Sequence, residues 1–154
     1  MRFQFEQTVP LPRSVVFAFH ENPEHLIALH RGWAAFRLIE HQGNLFPGSR
    51  IWFETDIGRF LPVALGFEFT VYEPPQRYSE QLIHGPFRSF THLHEFNEFN
   101  GSTVVRDVLE IELPWYYGGE LAMRVIVAPI IQQAFKLRGE ALLKWAQNGN
   151  DVPM

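Results

Sequence analysis

From Phe3 to Val9 the chain alternates. Phe3, Phe5, Gln7 and Val9 share one face and Gln4, Glu6 and Thr8 the other, which predicts a strand ended by Pro10 and Pro12. Ser14 to His20 reads as a short helix with Val15, Val16 and Phe19 clustered. Asn22-Pro23-Glu24 has the form of an N-cap with Pro at the first helical position, opening a second short helix to about Leu29 that His30-Arg31-Gly32 closes. The period then becomes two. Strands are predicted over Phe36–Gln42, Ser49–Ile57, Pro62–Tyr72, Tyr78–His84, Arg88–Phe99 and Thr103–Leu113. The breakers between them are Gly43-Asn44, Pro47-Gly48, Gly58-Arg59, Pro74-Pro75, Gly85-Pro86 and Asn100-Gly101. Such short links imply an antiparallel meander, because parallel pairing needs long crossovers.

From Gly119 to Gln147 the repeat is helical again. Leu121, Val125, Phe135, Leu142 and Trp145 recur at near-helical spacing, and Pro129 is expected to kink the helix or mark its effective start. Gly149 ends the pattern. One domain is expected over residues 1–147, with residues 148–154 a short, flexible polar tail. The predicted class is α+β, in the order β-α-α-β6-α.

Composition narrows the function. Of 154 residues 15 are Phe, and such a supply of rings must fill a core or line a cavity. The net charge of -4, without a Lys/Arg cluster, argues against nucleic acid as a partner. The absence of cysteine removes disulfides, thiolate metal sites and Cys nucleophiles. The alternating N-terminus is unlike a signal peptide, and the longest apolar run, Val125 to Ile131, is too short to span a bilayer. A cytoplasmic protein without membrane insertion is the expectation.

The order of elements resembles the helix-grip (SRPBCC) superfamily, which includes START lipid-transfer domains, the birch-pollen allergen family and polyketide cyclases. The resemblance spans nearly the whole chain. It is most specific at Gly85-Pro86-Phe87, then Phe90, His92, His94 and Phe96, then Asp107 and Leu113-Pro114. These residues are similar to a bacterial branch with the pattern Gly-Pro-Phe, aromatic, His-x-His-x-Phe, then Asp in the next strand. That branch occurs alone or fused ahead of an epimerase-like domain of cell-division-inhibitor type. No Gly-x-Gly-x-x-Gly follows in this chain, so the lone form is expected. Phe90 stands where the branch carries Trp and Leu82 where it carries Gln. The resemblance implies a seven-stranded curved antiparallel sheet around a long C-terminal helix, and ligand binding or transport more than a defined reaction.

If Asn100-Gly101 is a two-residue type I′ turn, His94 faces Asp107, Phe96 faces Val105, His92 faces Leu109 and Phe90 faces Ile111. The inward face is then apolar apart from His92, His94 and Asp107. A buried imidazole and carboxylate require partners, so a His94–Asp107 hydrogen bond is expected. That pair either fixes strand register or, with His92, orients the polar group of a ligand held by the rings. His-x-His with Asp107 or Glu80 also offers a weak metal signal, but no metal or other cofactor is assigned. His20, His25, His30, His41 and His84 fall in different elements and suggest no converging cluster. Ile51, Phe53, Ile57, Leu65, Phe67, Phe69 and Val71 are expected inward, and Trp52, Glu54, Glu68 and Tyr72 outward. Trp115-Tyr116-Tyr117 suits a packed corner or the gate of a cavity mouth.

The function expected is binding or transport of a hydrophobic small molecule (a lipid, an isoprenoid or an aromatic, polyketide-like compound). Its site would be Phe90, His92, His94, Phe96, Asp107, Leu109 and Phe135. A cyclase or hydratase using His94 and Asp107 as an acid–base pair is the rival, and a protein-interaction module with a plain core is the third reading. No Gly-x-Ser-x-Gly or phosphate-binding glycine loop points to another chemistry.

Overall fold

A computed structural model describes residues 1–29, 37–41, 45–57 and 61–148. β1 (Arg2–Val9) leads into α1 (Arg13–Glu21) and α2 (Pro23–Leu29). Asn22 caps α2 as expected: its side-chain oxygen accepts the Glu24 backbone N–H at 2.9 Å, with Pro23 between them. The strands follow as β2 (Arg37–His41), β3 (Arg50–Ile57), β4 (Leu61–Glu73), β5 (Arg77–His84), β6 (Ser89–Phe99) and β7 (Ser102–Glu112). They form one seven-stranded antiparallel sheet in the order β1-β7-β6-β5-β4-β3-β2. Closing the meander by pairing the first strand with the last makes this the helix-grip arrangement. The breakers at Gly43-Asn44 and Gly58-Arg59, the helix stop at His30-Arg31-Gly32, the strand ends Phe36 and Gln42, and the tail from Gly149 lie outside the described residues.

After a 3₁₀ turn (Trp115–Tyr117), the C-terminal helix comes in three parts: α3 (Gly119–Ala122), a π-helical stretch (Met123–Val127) and α4 (Ala128–Gln147). Pro129 sits in the first turn of α4, directly after the π-helical stretch and within a continuous helical run, so its missing N–H falls where the helix is already irregular. The wider π turn adds a residue to the repeat and changes which face looks inward. Met123 is buried, whereas Leu121 and Val125 are exposed, contrary to the expectation from spacing.

α4 covers the inner face of the sheet in two adjoining packing groups. Leu142 and Trp145 pack among Phe67, Phe69, Phe96 and the α1 side chains Val16, Phe17 and Phe19. Ile131 and Phe135 pack with Phe3, Leu109 and Ile111. The sheet departs from strict alternation in β4, where pairing with β5 shifts between Phe69 and Val71. That bulge brings Tyr72 opposite the fully buried Tyr78 and onto the core, where its hydroxyl bonds Glu21 of α1. The expected outward Tyr72 and inward Val71 are corrected accordingly.

Phe96 is 1 % exposed and packs edge-on against Phe17 and His20. Phe96→Ala should cost about 3 to 5 kcal/mol in equilibrium urea unfolding, through lost burial and the cavity left behind. A loss below about 1 kcal/mol would show that α1 does not seal this part of the core.

Candidate functional site

Strand register assembles the site. The β6–β7 hairpin turns at Asn100 and Gly101, both in the left-handed region (φ 51° and 75°), and pairs His94 with Asp107 and His92 with Leu109 as the turn predicts. Pairing continues across the sheet, and one row on the inner face runs Phe5, Asp107, His94, Tyr78, Tyr72. The adjacent row runs Phe3, Leu109, His92, Glu80, Phe69. Two imidazoles on β6 are therefore flanked by a carboxylate on each side, Asp107 on β7 and Glu80 on β5. Arg138 descends onto them from α4, between Phe135 and Leu142.

Asp107 Oδ1 lies 2.8 Å from His94 Nδ1, 3.0 Å from His92 Nε2 and 3.1 Å from Arg138 Nη1. The expected His94–Asp107 contact is thus one of three to the same oxygen. Across the imidazoles, Glu80 Oε1 is 3.5 Å from His92 Nδ1 and 4.0 Å from His94 Nε2. Glu80, His92 and His94 offer ligand atoms within 4.8 Å of one another, so among the described residues they are a group able to hold a metal ion.

Burial disfavours both carboxylate anions, but Asp107 is held well below its ordinary pKa by the Arg138 charge and the two imidazoles. Hydrogen bonds from His92 and His94 likewise outweigh burial and hold Glu80 at about 2. Burial also works against a charged His92, yet its bonds to Asp107 and Glu80 prevail and raise its pKa. His94 is lowered by burial and by the His92 charge beside it. Two neighbouring imidazoles are driven in opposite directions.

Three side chains, Arg138, His20 and Tyr78, extend the cluster beyond the expected residues. His20, expected to stand apart, is fully buried, with its ring centroid 6.3 Å from that of His94. Its Nδ1–H donates to the Val16 carbonyl at 2.8 Å, and burial followed by the Arg138 charge lowers its pKa to about 3. Tyr78 stacks on His94 with centroids 4.3 Å apart. His20 was legible as the residue one turn after Val16 on the apolar face of α1. Arg138 sits three residues after Phe135 and four before Leu142, so it lies on the face that carries them. Charge disguised both.

A cavity of about 370 Å³ opens between β1 and α4. Exposed Gln132, Lys136 and Glu140 stand at its rim, while Phe5, Phe135 and Leu142 wall it and buried Asp107 and Arg138 form its floor. Of the predicted site residues, Asp107 and Phe135 reach this cavity. His92 and His94 lie behind Asp107, and Phe90 packs on Phe67 and Phe87. Phe96 and Leu109 belong to the packed core. Trp115, Tyr116 and Tyr117 contact one another in sequence but are 85 %, 64 % and 56 % exposed, neither a packed corner nor part of the cavity lining. No helix of the described residues is long and apolar enough to cross a membrane.

No protein-family model and no curated protein matches the chain. Solved structures do. Protein TTHA0849 of Thermus thermophilus is 16% identical with a TM-score of 0.75, the match covering 98% of this chain and 100% of that one. Norcoclaurine synthase from Thalictrum flavum, in complex with dopamine and hydroxybenzaldehyde, is 15% identical with a TM-score of 0.66, over 94% of this chain and 87% of that one. Ara h 8.0201 is 13% identical with a TM-score of 0.61, over 94% of this chain and 98% of that one. The chain shares the helix-grip fold of these structures.

The buried, neutral His20 has a consequence for acid stability. Its folded pKa lies below the unfolded value of about 6.5, so as pH falls below about 6.5 the unfolded chain takes up a proton that the folded chain refuses until about pH 3. Stability is lost over that window. Between pH 7 and pH 4.5 the unfolding free energy of His20→Leu should fall by about 2 to 3 kcal/mol less than that of the wild type. Urea titrations at the two pH values measure this, and equal losses would show that His20 is not held neutral.

Proposed function

We propose that the chain binds a small hydrophobic molecule bearing one polar group in the cavity between β1 and α4. The observation that carries this reading is the cavity's division of labour. Phe5, Phe135 and Leu142 supply apolar walls, while Asp107 and Arg138 supply charged hydrogen-bonding groups at the floor. A volume of about 370 Å³ suits a compact ligand, such as a single chain or a small ring system, rather than a bulky one. His92 and His94 act here through Asp107, whose position they fix. Phe90, Phe96 and Leu109 hold the sheet beneath it. The small aromatic molecules bound by norcoclaurine synthase, a protein of the same fold, support the same class of ligand.

A second reading is favoured by one observation. The pKa values of His92 and His94 move apart, so one imidazole favours its proton and its neighbour gives its proton up, as an acid–base pair requires. In this version Asp107, the member of the cluster that reaches the cavity, links the pair to a bound molecule, and turnover follows binding.

Binding is tested by thermal unfolding with palmitate, farnesol and naphthol, one each for lipid, isoprenoid and aromatic. At least one should raise the melting temperature in a saturable way, corresponding to about 2.7 kcal/mol at a hundred times its Kd. Leu143→Trp, which fills the cavity from α4, should abolish that rise while leaving a cooperative transition. A panel without a shift, or one that shifts the filled variant equally, would remove the cavity as a binding site.

A further inference from the structure

We propose that Glu80, His92 and His94 form a binding site for one divalent first-row metal ion of the zinc type, on the side of the imidazoles opposite Asp107. The site is distinct from the cavity, and the inference does not rest on the ligand-binding reading above.

Hydrogen bonding on the two sides of β6 is unequal. On the β7 side Asp107 Oδ1 is within 3.0 Å of a nitrogen from each imidazole, and Arg138 Nη2 also stands 3.5 Å from His94 Nδ1. When Asp107 accepts from His92 Nε2–H and His94 Nδ1–H, the nitrogens left for a cation are the other two. This fixes both rings with Nδ1 of His92 and Nε2 of His94 directed at Glu80. His94 Nε2 is completely buried and has no hydrogen-bond partner among the described residues, since 4.0 Å to Glu80 Oε1 is too long for a bond in either tautomer. A buried polar nitrogen left in this state is costly, and such atoms call for an explanation. Tyr78 stacks on the same ring, and its hydroxyl is likewise buried without a partner.

The separations suit a cation. Metal bonds of about 2.0 to 2.2 Å to imidazole nitrogen and carboxylate oxygen at tetrahedral angles place ligand atoms roughly 3.3 to 3.6 Å apart. Glu80 Oε1 and His92 Nδ1 are 3.5 Å apart, and Glu80 Oε1 and His94 Nε2 need to close by a fraction of an ångström from 4.0 Å. Two imidazoles and one carboxylate with further positions open are a donor set for zinc and its neighbours. Asp107 performs for both imidazoles the outer-shell task that metal-binding histidines require, and Arg138 neutralises Asp107 from beyond. Once His92 has given up its Nδ1 proton, Asp107 and Glu80 outnumber Arg138 by one negative charge, which favours a cation. Binding displaces the proton on His92 Nδ1 to water.

The test uses the full chain, stripped with EDTA and titrated with Zn2+ by calorimetry and with Co2+ by visible absorption. One ion per chain is expected, with Co2+ giving the d–d bands of a low-coordinate site. His94→Gln and Glu80→Gln should each abolish stoichiometric uptake, and Asp107→Asn should weaken it by about 10- to 100-fold. Histidine ring signals in the NMR spectrum of the wild type give a reading that needs no variant. Zn2+ should move those of His92 and His94 and leave those of His25 and His84 in place. Failure of the folded wild type to take up either ion, uptake that survives His94→Gln, or shifts confined to His25 and His84 would overturn the proposal.

Discussion

Asp107 Oδ1 is the point on which the architecture turns. A carboxylate buried against a sheet is tolerable only if charged or strongly polar donors replace water, and here three groups converge on one oxygen. Two belong to β6 and the third to α4. The arrangement therefore couples two choices that apolar packing alone leaves soft, namely the register of the β6–β7 hairpin and the rotation of α4 about its axis. A slip of one residue between β6 and β7 would put Asp107 and His94 on opposite faces. A turn of α4 by one residue would take Arg138 off the carboxylate and leave a charge buried on each side.

The same coupling explains which parts of the structure were legible from sequence. Asn100-Gly101 is a local signal with one favoured geometry, and from it the His94–Asp107 and His92–Leu109 pairings follow by counting. Asn22-Pro23 and the order of elements are local in the same sense. What counting misses is any residue that breaks the count. The bulge in β4 between Phe69 and Val71 sends Tyr72 inward, and the π turn at Met123–Val127 sends Leu121 and Val125 outward. Arg138 and His20 were missed for a different reason. Each occupies an apolar helical face, and a charged or titratable residue there becomes intelligible only once its partner on another element is known.

Helix-grip neighbours at 13% to 16% identity share the sheet and the long helix, and that likeness concerns the scaffold. The chemistry depends on which side chains this sequence places in the two inner rows. An apolar residue at Asp107 or Arg138 would be simpler to bury, and a well-packed hydrophobic substitute for a buried ion pair is often no less stable. Keeping the pair at the floor of a cavity makes sense when a polar group on an incoming molecule has to meet fixed donors and acceptors. The cavity and the buried charges are thus two parts of one arrangement.

The imidazoles divide this arrangement into two halves with opposite electrostatic demands. Toward β7, Arg138 supplies the positive charge that Asp107 requires, and the bonds there are short. Toward β5, no arginine of the described residues pairs with Glu80, and the charge nearest to it is that of a protonated His92, at 3.5 Å. The charge of that imidazolium is felt by two carboxylates, Asp107 at Nε2 and Glu80 at Nδ1, so any change at Asp107 is felt at Glu80 through one ring. A molecule whose polar group engages Asp107 or Arg138 at the cavity floor would weaken their hold on His92 Nε2 and alter how strongly His92 Nδ1 serves Glu80. The cavity and the Glu80 side are linked by a single imidazole, with no backbone movement required.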